Sequence, residues 1–213
     1  MIILIGSQKG GVGKSTISVN ICATLSNQSK DVLLVDTDRQ SSSSNWAEDR
    51  AENSSLPIVN WVQKYDNIRS SLIDLNKRYE YVIVDAAGRD SKELRTGLVA
   101  ADILLMPVRP SQFDLDTIPT MREMVEEVKE ELNPNLKFLA VLSMGPTNPI
   151  INEAGDAEVF FKEYSDIHLL KTIIRERKVY RDSIAAGRGL GVIEMNNIKA
   201  RNEINEVIKE VLK

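Results

Sequence analysis

Residues 9–16 have the types and spacing needed to hold a polyphosphate, since they read Lys-Gly-Gly-Val-Gly-Lys-Ser-Thr. Glycines let backbone N–H groups turn inward without clashes from β-carbons. Lys14 could then reach the terminal phosphates of a nucleotide, and the Ser15 hydroxyl could bind Mg²⁺. A tight glycine turn without a ligand is the alternative. The order of two lysines, three glycines and Ser-Thr favours phosphate binding over that turn.

The elements around this loop support the same interpretation. The apolar residues 1–5 predict a short buried strand, and a helical pattern begins at about Lys14. A helix N-terminus adds free N–H groups and the positive end of its dipole. The general pattern G-x-x-x-x-G-K-[ST] requires glycine where Gln8 stands, so that general form is not met. The tighter form present here instead begins with a second lysine, Lys9.

Lys-Gly-Gly-x-Gly-Lys-Ser/Thr is the deviant Walker A motif, and in carrying it the chain resembles the ParA/MinD family of P-loop ATPases. The resemblance implies that Lys9 reaches across a dimer interface to the nucleotide of the other subunit and that Lys14 serves catalysis within its own subunit. It also implies that the nucleotide is bound by the whole loop and the helix start, namely Gly10, Gly11, Val12, Gly13, Lys14, Ser15 and Thr16.

Acidic residues follow two further apolar runs. Asp85 follows residues 82–84, and Asp36 and Asp38 follow residues 32–35. Ligands of open α/β sheets bind beyond the carboxyl ends of the strands. An anion at Asp85 could hold Mg²⁺ through water, and Gly88 completes the D-x-x-G form of a loop that senses the terminal phosphate.

The segment Asp36-Thr37-Asp38-Arg39-Gln40 resembles the family motif Asp-x-Asp-Pro-Gln. By that resemblance Asp38 orients the attacking water and Asp36 supports the magnesium shell, so the expected metal set is Ser15, Asp36 and Asp85. A helix-cap or loop role for Asp36 is the alternative. Arg39 stands where the family commonly has proline.

Residues 107–111 follow the strand predicted at 103–106 and resemble the proline-containing loop that flanks adenine in the family, which implies base contacts from Pro107 and Pro110. The Asn-Lys-x-Asp signature of GTPases does not follow residue 142, where Ser143-Met144-Gly145 stands instead. ATP is therefore the expected nucleotide, with Mg²⁺ as its metal.

A local basic segment interrupts a chain whose net charge is −4. Arg175, Arg177, Lys178 and Arg181 outnumber the acids between them, and duplex DNA attracts such a patch without sequence readout. The alternative is a solvated charged face.

The composition of the chain argues against several classes of protein. Cys22 is the sole cysteine, so the chain lacks the thiolates of an iron–sulfur carrier. No apolar run approaches a membrane span, and residues 1–5 lack the basic flank of a signal peptide, so a cytoplasmic setting is expected. The C-terminal helical stripe could suit a membrane anchor, but it has no aromatic residue and mixes acids into its polar face, which favours packing on the domain.

Apolar runs alternate with helical patterns along the chain, which predicts a doubly wound α/β domain: a mainly parallel sheet with helices on both faces, with residues 1–213 as one P-loop domain. A loop with Gly145, Pro146 and Pro149 is expected between residues 144 and 152. Strands are expected at 1–5, 32–35, 81–84, 103–106, 136–142 and 167–173, and helices at 15–28, 43–50, 68–77, 91–100, 115–132 and 197–212.

The resemblance is to small ParA-type partition ATPases without an N-terminal DNA-reading domain. It implies an ATP-dependent homodimer, non-specific binding to DNA of the nucleoid, and slow hydrolysis stimulated by a small centromere-binding adaptor protein. Two alternatives remain open: a MinD-like ATPase that cycles on membranes, and a related ATPase that serves DNA transfer or secretion.

Overall fold

The centre of the fold is a seven-stranded sheet in which every pairing is parallel, in the order β3-β2-β4-β1-β5-β6-β7. The computed structural model describes residues 1–148 and 150–213. The strands are β1 (Ile2–Ile5), β2 (Val32–Asp36), β3 (Asn60–Gln63), β4 (Tyr81–Asp85), β5 (Ile103–Val108), β6 (Lys137–Leu142) and β7 (His168–Leu169).

Helices cover both faces of this sheet. They are α1 (Lys14–Asn27), α2 (Ser42–Ala51), α3 (Arg69–Leu75), α4 (Lys92–Ala100), α5 (Gln112–Leu115), α6 (Ile118–Glu131), α7 (Glu153–Phe161), α8 (Lys178–Ser183) and α9 (Ile198–Val211), with a short 3-10 helix at Val192–Glu194. The expected doubly wound α/β fold is confirmed.

Alternate strand residues build two apolar cores, because successive side chains point to opposite faces of a sheet. In β1, Ile2 and Leu4 pack with the core under α3, α4, α6 and α7, whereas Ile3 and Ile5 pack with the core under α1, α2 and α9. Both faces are buried, which explains why the central strands read as continuous apolar runs.

The structure corrects several element predictions. The helix expected at 115–132 begins later, as α6 at Ile118, and a separate short helix that was not predicted, α5, precedes it. The strand expected at 167–173 is only the two-residue β7. Sequence reasoning missed β3, α7 and α8. The irregular loop after residue 144 is present up to the start of α7, although Pro149, part of that prediction, lies outside the described residues.

The C-terminal helix α9 packs on the domain as expected. Its apolar stripe, Ile204, Val207, Ile208 and Val211, is buried in the second core. None of the helices within 1–148 and 150–213 is long and apolar enough to cross a membrane.

Candidate functional site

The phosphate loop lies at the carboxyl end of β1, the central strand of the sheet, and leads directly into α1. Gly11 and Gly13 have φ angles of 72° and 89°, which residues with a side chain rarely adopt. The Lys14 side chain folds back over the loop, where its ammonium donates to the Lys9 carbonyl oxygen at 2.9 Å. Burial lowers the pKa of Lys14, while the charges of Asp85 and Asp38 act in the opposite direction. The phosphate loop thus encloses the ammonium group of Lys14.

Two hydrogen bonds that sequence reasoning missed stabilise the phosphate loop. Their donors are side chains that follow β6 and β5. The Ser143 hydroxyl, just after β6, donates to the Val12 carbonyl oxygen at 2.8 Å. Arg109, just after β5, donates to the Gly11 carbonyl oxygen at 2.6 Å. A hydroxyl 131 residues away in sequence gives no local signal, so only the fold reveals this support.

A cavity of about 570 Å³ opens above the loop. Most of the residues predicted to bind nucleotide lie on its wall, as does Asp38. The wall also contains residues that sequence reasoning had not assigned to the pocket. The lining is Gly10, Gly11, Gly13, Lys14, Ser15, Thr16, Asp38, Arg39, Gln40, Ser42, Ala86, Ala87, Gly88, Arg89 and Met144. Glycine N–H groups, a helix N-terminus and a buried lysine make this wall suited to phosphates.

Asp85 lies at the end of β4 with an unsatisfied carboxylate oxygen. Its Oδ1 accepts a bond from the Ser18 hydroxyl at 3.3 Å, whereas its buried Oδ2 has no hydrogen-bond partner among the described residues. Burial raises the pKa of Asp85 to about 7; the Ser15 hydroxyl lowers it, and the neighbouring Asp36 raises it further. A buried, unpartnered carboxylate oxygen is costly, so it marks a position where a ligand would complete the site.

Asp36 has a different environment, because both of its oxygens are engaged. Oδ1 accepts from the Asp38 backbone N–H at 3.0 Å, and Oδ2 accepts from the Ser44 N–H and hydroxyl at 2.9 and 2.8 Å. The residue is fully buried. These contacts fix the Asp38 loop against the start of α2, which supports the alternative loop-and-helix role. The metal-shell role of Asp36 remains a prediction.

Asp38 and Lys9 lie in different surroundings, and their roles in hydrolysis and dimerisation remain predictions. Asp38 is half-buried on the pocket wall, and its Oδ1 accepts from the Gln40 N–H at 3.0 Å. Lys9 is exposed and is not among the residues that line the pocket of its own chain. Its amino group is therefore free to serve a site outside that pocket.

A smaller cavity of about 90 Å³ adjoins the main pocket on the side of β6. It shares Gly13, Thr16 and Met144 with the main pocket, and Ile174 and Tyr180 add apolar walls. An apolar cavity next to a phosphate loop is a candidate site for the base of a nucleotide.

The structure places Pro107 and Pro110 elsewhere. Pro107 lies inside β5 rather than in a loop after it, and it lines a crevice with Lys9 and Asp114. Pro110 is buried in the turn that follows β5. Neither proline is among the residues on the wall of the main pocket or of the side cavity. Their base contacts remain untested.

The basic segment is more neutralised than its sequence indicates. Arg177 is paired with Glu203 at 2.6 Å, with side-chain exposures of 21% and 12%. Lys178 pairs with Asp182, and Arg181 lies 3.5 Å from Glu176. The side chains of Lys178 and Arg181 nevertheless stay exposed.

Arg175 has a structural contact, since it donates to the Pro146 carbonyl oxygen at 2.7 Å. Arg175 and Arg177 therefore help to hold the loops around α9, while Lys178 and Arg181 face solvent.

The sheet order, the phosphate loop and the acids at the strand ends together define a P-loop nucleotide-binding domain. Residues 3–190 match the family described as the CobQ/CobB/MinD/ParA nucleotide binding domain. This chain belongs to that family, and within it the chain is of the ParA/MinD type.

Similar proteins include a protein for the maintenance of carboxysome distribution and a chromosome-partitioning ATPase. Maintenance of carboxysome distribution protein A of Halothiobacillus neapolitanus is 27% identical over 211 residues, covering 99% of this chain and 95% of that protein. The chromosome-partitioning ATPase Soj of Thermus thermophilus is 29% identical over 169 residues, covering 66% and 67%. Among solved structures, apo McdA of Cyanothece superposes with a TM-score of 0.80 at 18% identity, covering 100% of this chain and 99% of that one.

Proposed function

We propose that this protein is a Mg²⁺-dependent ATPase, organised as one domain over residues 1–213, that positions a cellular cargo. The observation that carries the proposal is the buried Asp85 Oδ2, which has no hydrogen-bond partner among the described residues and lies next to the pocket lined by Lys14 and Asp38. A buried anion without a partner needs a ligand, and a magnesium ion with its waters satisfies that need.

The residues present fit Mg²⁺ rather than a metal held by protein alone. Within 1–148 and 150–213 there is no group of three or more His, Cys, Asp or Glu side chains arranged to hold a metal. Mg²⁺ retains several waters and binds through one or two protein groups plus substrate phosphates. Ser15 and Asp85 would hold it. When bound, it would neutralise charge on the phosphates.

ATP hydrolysis forms a bond from a water oxygen to the terminal phosphorus and breaks the bond to the bridging oxygen, which leaves with ADP. Asp38 would orient this water, since its carboxylate faces the pocket and only one of its oxygens is committed to the Gln40 N–H. Lys14 would bind the phosphates throughout. Asp38→Ala should therefore retain ATP and lose hydrolysis, whereas Lys14→Ala should lose nucleotide affinity.

Nucleotide binding and phosphate release test this assignment together. Calorimetry with ATP and a release assay with and without Mg²⁺ would be run on wild type, Asp38→Ala and Lys14→Ala. Asp31→Ala, exposed before β2, is the matched control. Hydrolysis at the wild-type rate in Asp38→Ala would remove that residue from the reaction.

The cargo is proposed to be DNA, with an ATP-bound homodimer that binds duplex DNA non-specifically and a small centromere-binding adaptor that stimulates hydrolysis. Support comes from the similarity to Soj and from the exposed Lys178 and Arg181. A dimer would present two such segments, which doubles the phosphate contacts. Binding should weaken with salt, with a log–log slope of about −0.9 per phosphate neutralised.

The DNA test uses the exposed cations, because Arg175 and Arg177 also hold loops. With ATP present, Lys178→Ala and Arg181→Ala should lower DNA affinity and flatten the salt slope. Lys77→Ala, an exposed lysine at the end of α3, removes the same charge elsewhere and should change neither. Equal slopes in all variants would place the DNA surface elsewhere.

A protein cargo is the second candidate, because the carboxysome-distribution relative matches over nearly the whole chain. Membrane cycling has less support, because the apolar face of α9 is already buried. If the protein sedimented selectively with anionic liposomes, membrane cycling would nevertheless be favoured over both a DNA cargo and a protein cargo.

A further inference from the structure

Arg39 lies on the wall of the main pocket, and an aromatic ring holds its guanidinium. The guanidinium carbon is 4.9 Å from the centroid of the Tyr65 ring, just beyond the edge strand β3. None of the ion pairs found within 1–148 and 150–213 includes Arg39. The charge of Arg39 helps to lower the pKa of Glu93, but Glu93 Oε1 already accepts from the Asp66 N–H at 2.8 Å. Arg39 is thus an oriented cation without a carboxylate partner.

The order of the strands determines which end of a nucleotide Arg39 would meet. The side cavity, the candidate site for the base, lies beside β6 and β7, on one side of β1. The loops after β4 and β2 lie on the other side of β1 and carry Gly88, Asp38 and Arg39. A nucleotide whose base enters the side cavity and whose phosphates cross the loop after β1 therefore ends at Arg39.

We propose that Arg39 binds the terminal phosphate of the nucleoside triphosphate and that Tyr65 is a positioning residue that holds the guanidinium in place. The inference rests on the proposed nucleotide site. A guanidinium offers a planar fork of donors that matches phosphate oxygens, and stacking on a ring leaves the N–H edge available. Lys14 contacts the loop itself, whereas Arg39 is placed to distinguish a triphosphate from a diphosphate.

The experiment compares two probes, the non-hydrolysable analogue AMPPNP and ADP, by calorimetry with Mg²⁺. Arg39→Ala should lower the analogue affinity roughly ten- to a hundredfold, as expected for a lost hydrogen bond between charged groups, and should change the ADP affinity less than about twofold. Arg39→Lys keeps the charge without the fork and should recover part of the loss. Arg89→Ala removes another arginine of the pocket wall and should affect the two probes equally, so it measures general charge attraction.

Tyr65 variants test positioning separately. Tyr65→Phe keeps the ring and should retain the wild-type preference for the triphosphate, whereas Tyr65→Ala should reduce it. The double variant Arg39→Ala/Tyr65→Ala should be no weaker than Arg39→Ala alone, because both changes remove the same contact. Wild-type preference in Tyr65→Ala would overturn the positioning role.

Equal losses for AMPPNP and ADP in Arg39→Ala, matched by Arg89→Ala, would show only general charge attraction and would overturn the assignment of Arg39. In that case Lys14→Ala would still abolish binding and the proposed function would stand. Wild-type protein that binds neither probe would overturn the proposed function and this inference together.

Discussion

A β-carbon added to Gly88 would lie 2.8 Å from the ammonium nitrogen of Lys14. It would also approach the Gly10 Cα at 2.8 Å and the Lys9 carbonyl oxygen at 2.9 Å. Any side chain here must displace either the lysine or the loop backbone. The loop after β4 and the loop after β1 therefore fit together only with glycine at this position.

Gly88→Ala should consequently weaken nucleotide binding at least about tenfold, because small displacements of binding groups are costly at such sites. Stability should also fall, because two of the three close contacts are with backbone atoms of the loop. Calorimetry with ATP measures the first effect and urea unfolding the second. Gly97→Ala in α4, where the added carbon makes only 3.4 Å contacts, is the control. Wild-type affinity in Gly88→Ala would contradict the close fit.

The ionised form of Asp85 should destabilise the protein when neither nucleotide nor divalent cation is present. Burial raises the pKa of Asp85 to about 7, against about 3.9 in an unfolded chain. Between these values the folded protein keeps a proton that the unfolded chain releases, so the free energy of unfolding falls as the pH rises towards 7. Asp85→Asn should thus be more stable than wild type at pH 8. The difference in stability between the two proteins should be smaller at pH 5.

Urea unfolding in EDTA at the two pH values measures this difference. Asp31→Asn should show no comparable gain at pH 8, because Asp31 is exposed. The same Asp85→Asn variant should lose the magnesium dependence of nucleotide binding. Lower stability than wild type at pH 8 would mean that the carboxylate is better satisfied in the apo protein than its Oδ2 suggests.

Arg50 connects α2 to the segment before α9. Its side chain is 1% exposed, pairs with Glu194 at 2.8 Å, and donates to the carbonyl oxygens of Pro57 and Gly189. Arg50→Met should cost about 3–5 kcal/mol of unfolding free energy, as expected when one partner of a buried pair is removed. Arg78→Met breaks an exposed pair with Asp74 and should cost about 0–1 kcal/mol. Urea unfolding measures both losses of free energy. Similar losses in Arg50→Met and Arg78→Met would contradict the argument that burial makes the Arg50 pair important.

Sequence reasoning found the site where residue type and local order suffice. The glycine loop with Lys14 and the acids after two apolar strands are contiguous patterns, and the structure brings them to one edge of the sheet. It missed β3 because Asn60–Gln63 is an edge strand with partly exposed residues and no apolar run.

Contacts distant in sequence were beyond prediction. The pairing of Arg177 with Glu203 spans 26 residues, and it gives a structural contact to a residue for which DNA contact remains a prediction. Pro107 was placed in a loop because residues 107–111 resemble the proline-containing loop that flanks adenine in the family. It is tolerated in β5 because Leu105, two residues earlier, pairs with the last residue of β1, so the nitrogen of Pro107 faces a side where β1 has ended.

The last prediction concerns Lys9, whose side chain is exposed and absent from the wall of its own pocket. An amino group placed there could neutralise phosphate charge on a second subunit, and charge-assisted contacts of this kind are strong. Lys9→Ala should remain folded and bind ATP as a monomer, but it should not form the ATP-dependent dimer. Light scattering with AMPPNP and with ADP measures this.

The matched control is Lys92→Ala, which removes an exposed lysine at the start of α4 outside the pocket wall. It should dimerise like wild type, whereas Lys14→Ala should fail to dimerise because it fails to bind nucleotide. Lys9→Arg keeps the charge and should retain part of the dimer. Calorimetry on the same samples separates lost dimerisation from lost nucleotide binding. An unchanged ATP-dependent dimer in Lys9→Ala would show that Lys9 acts within its own chain or not at all.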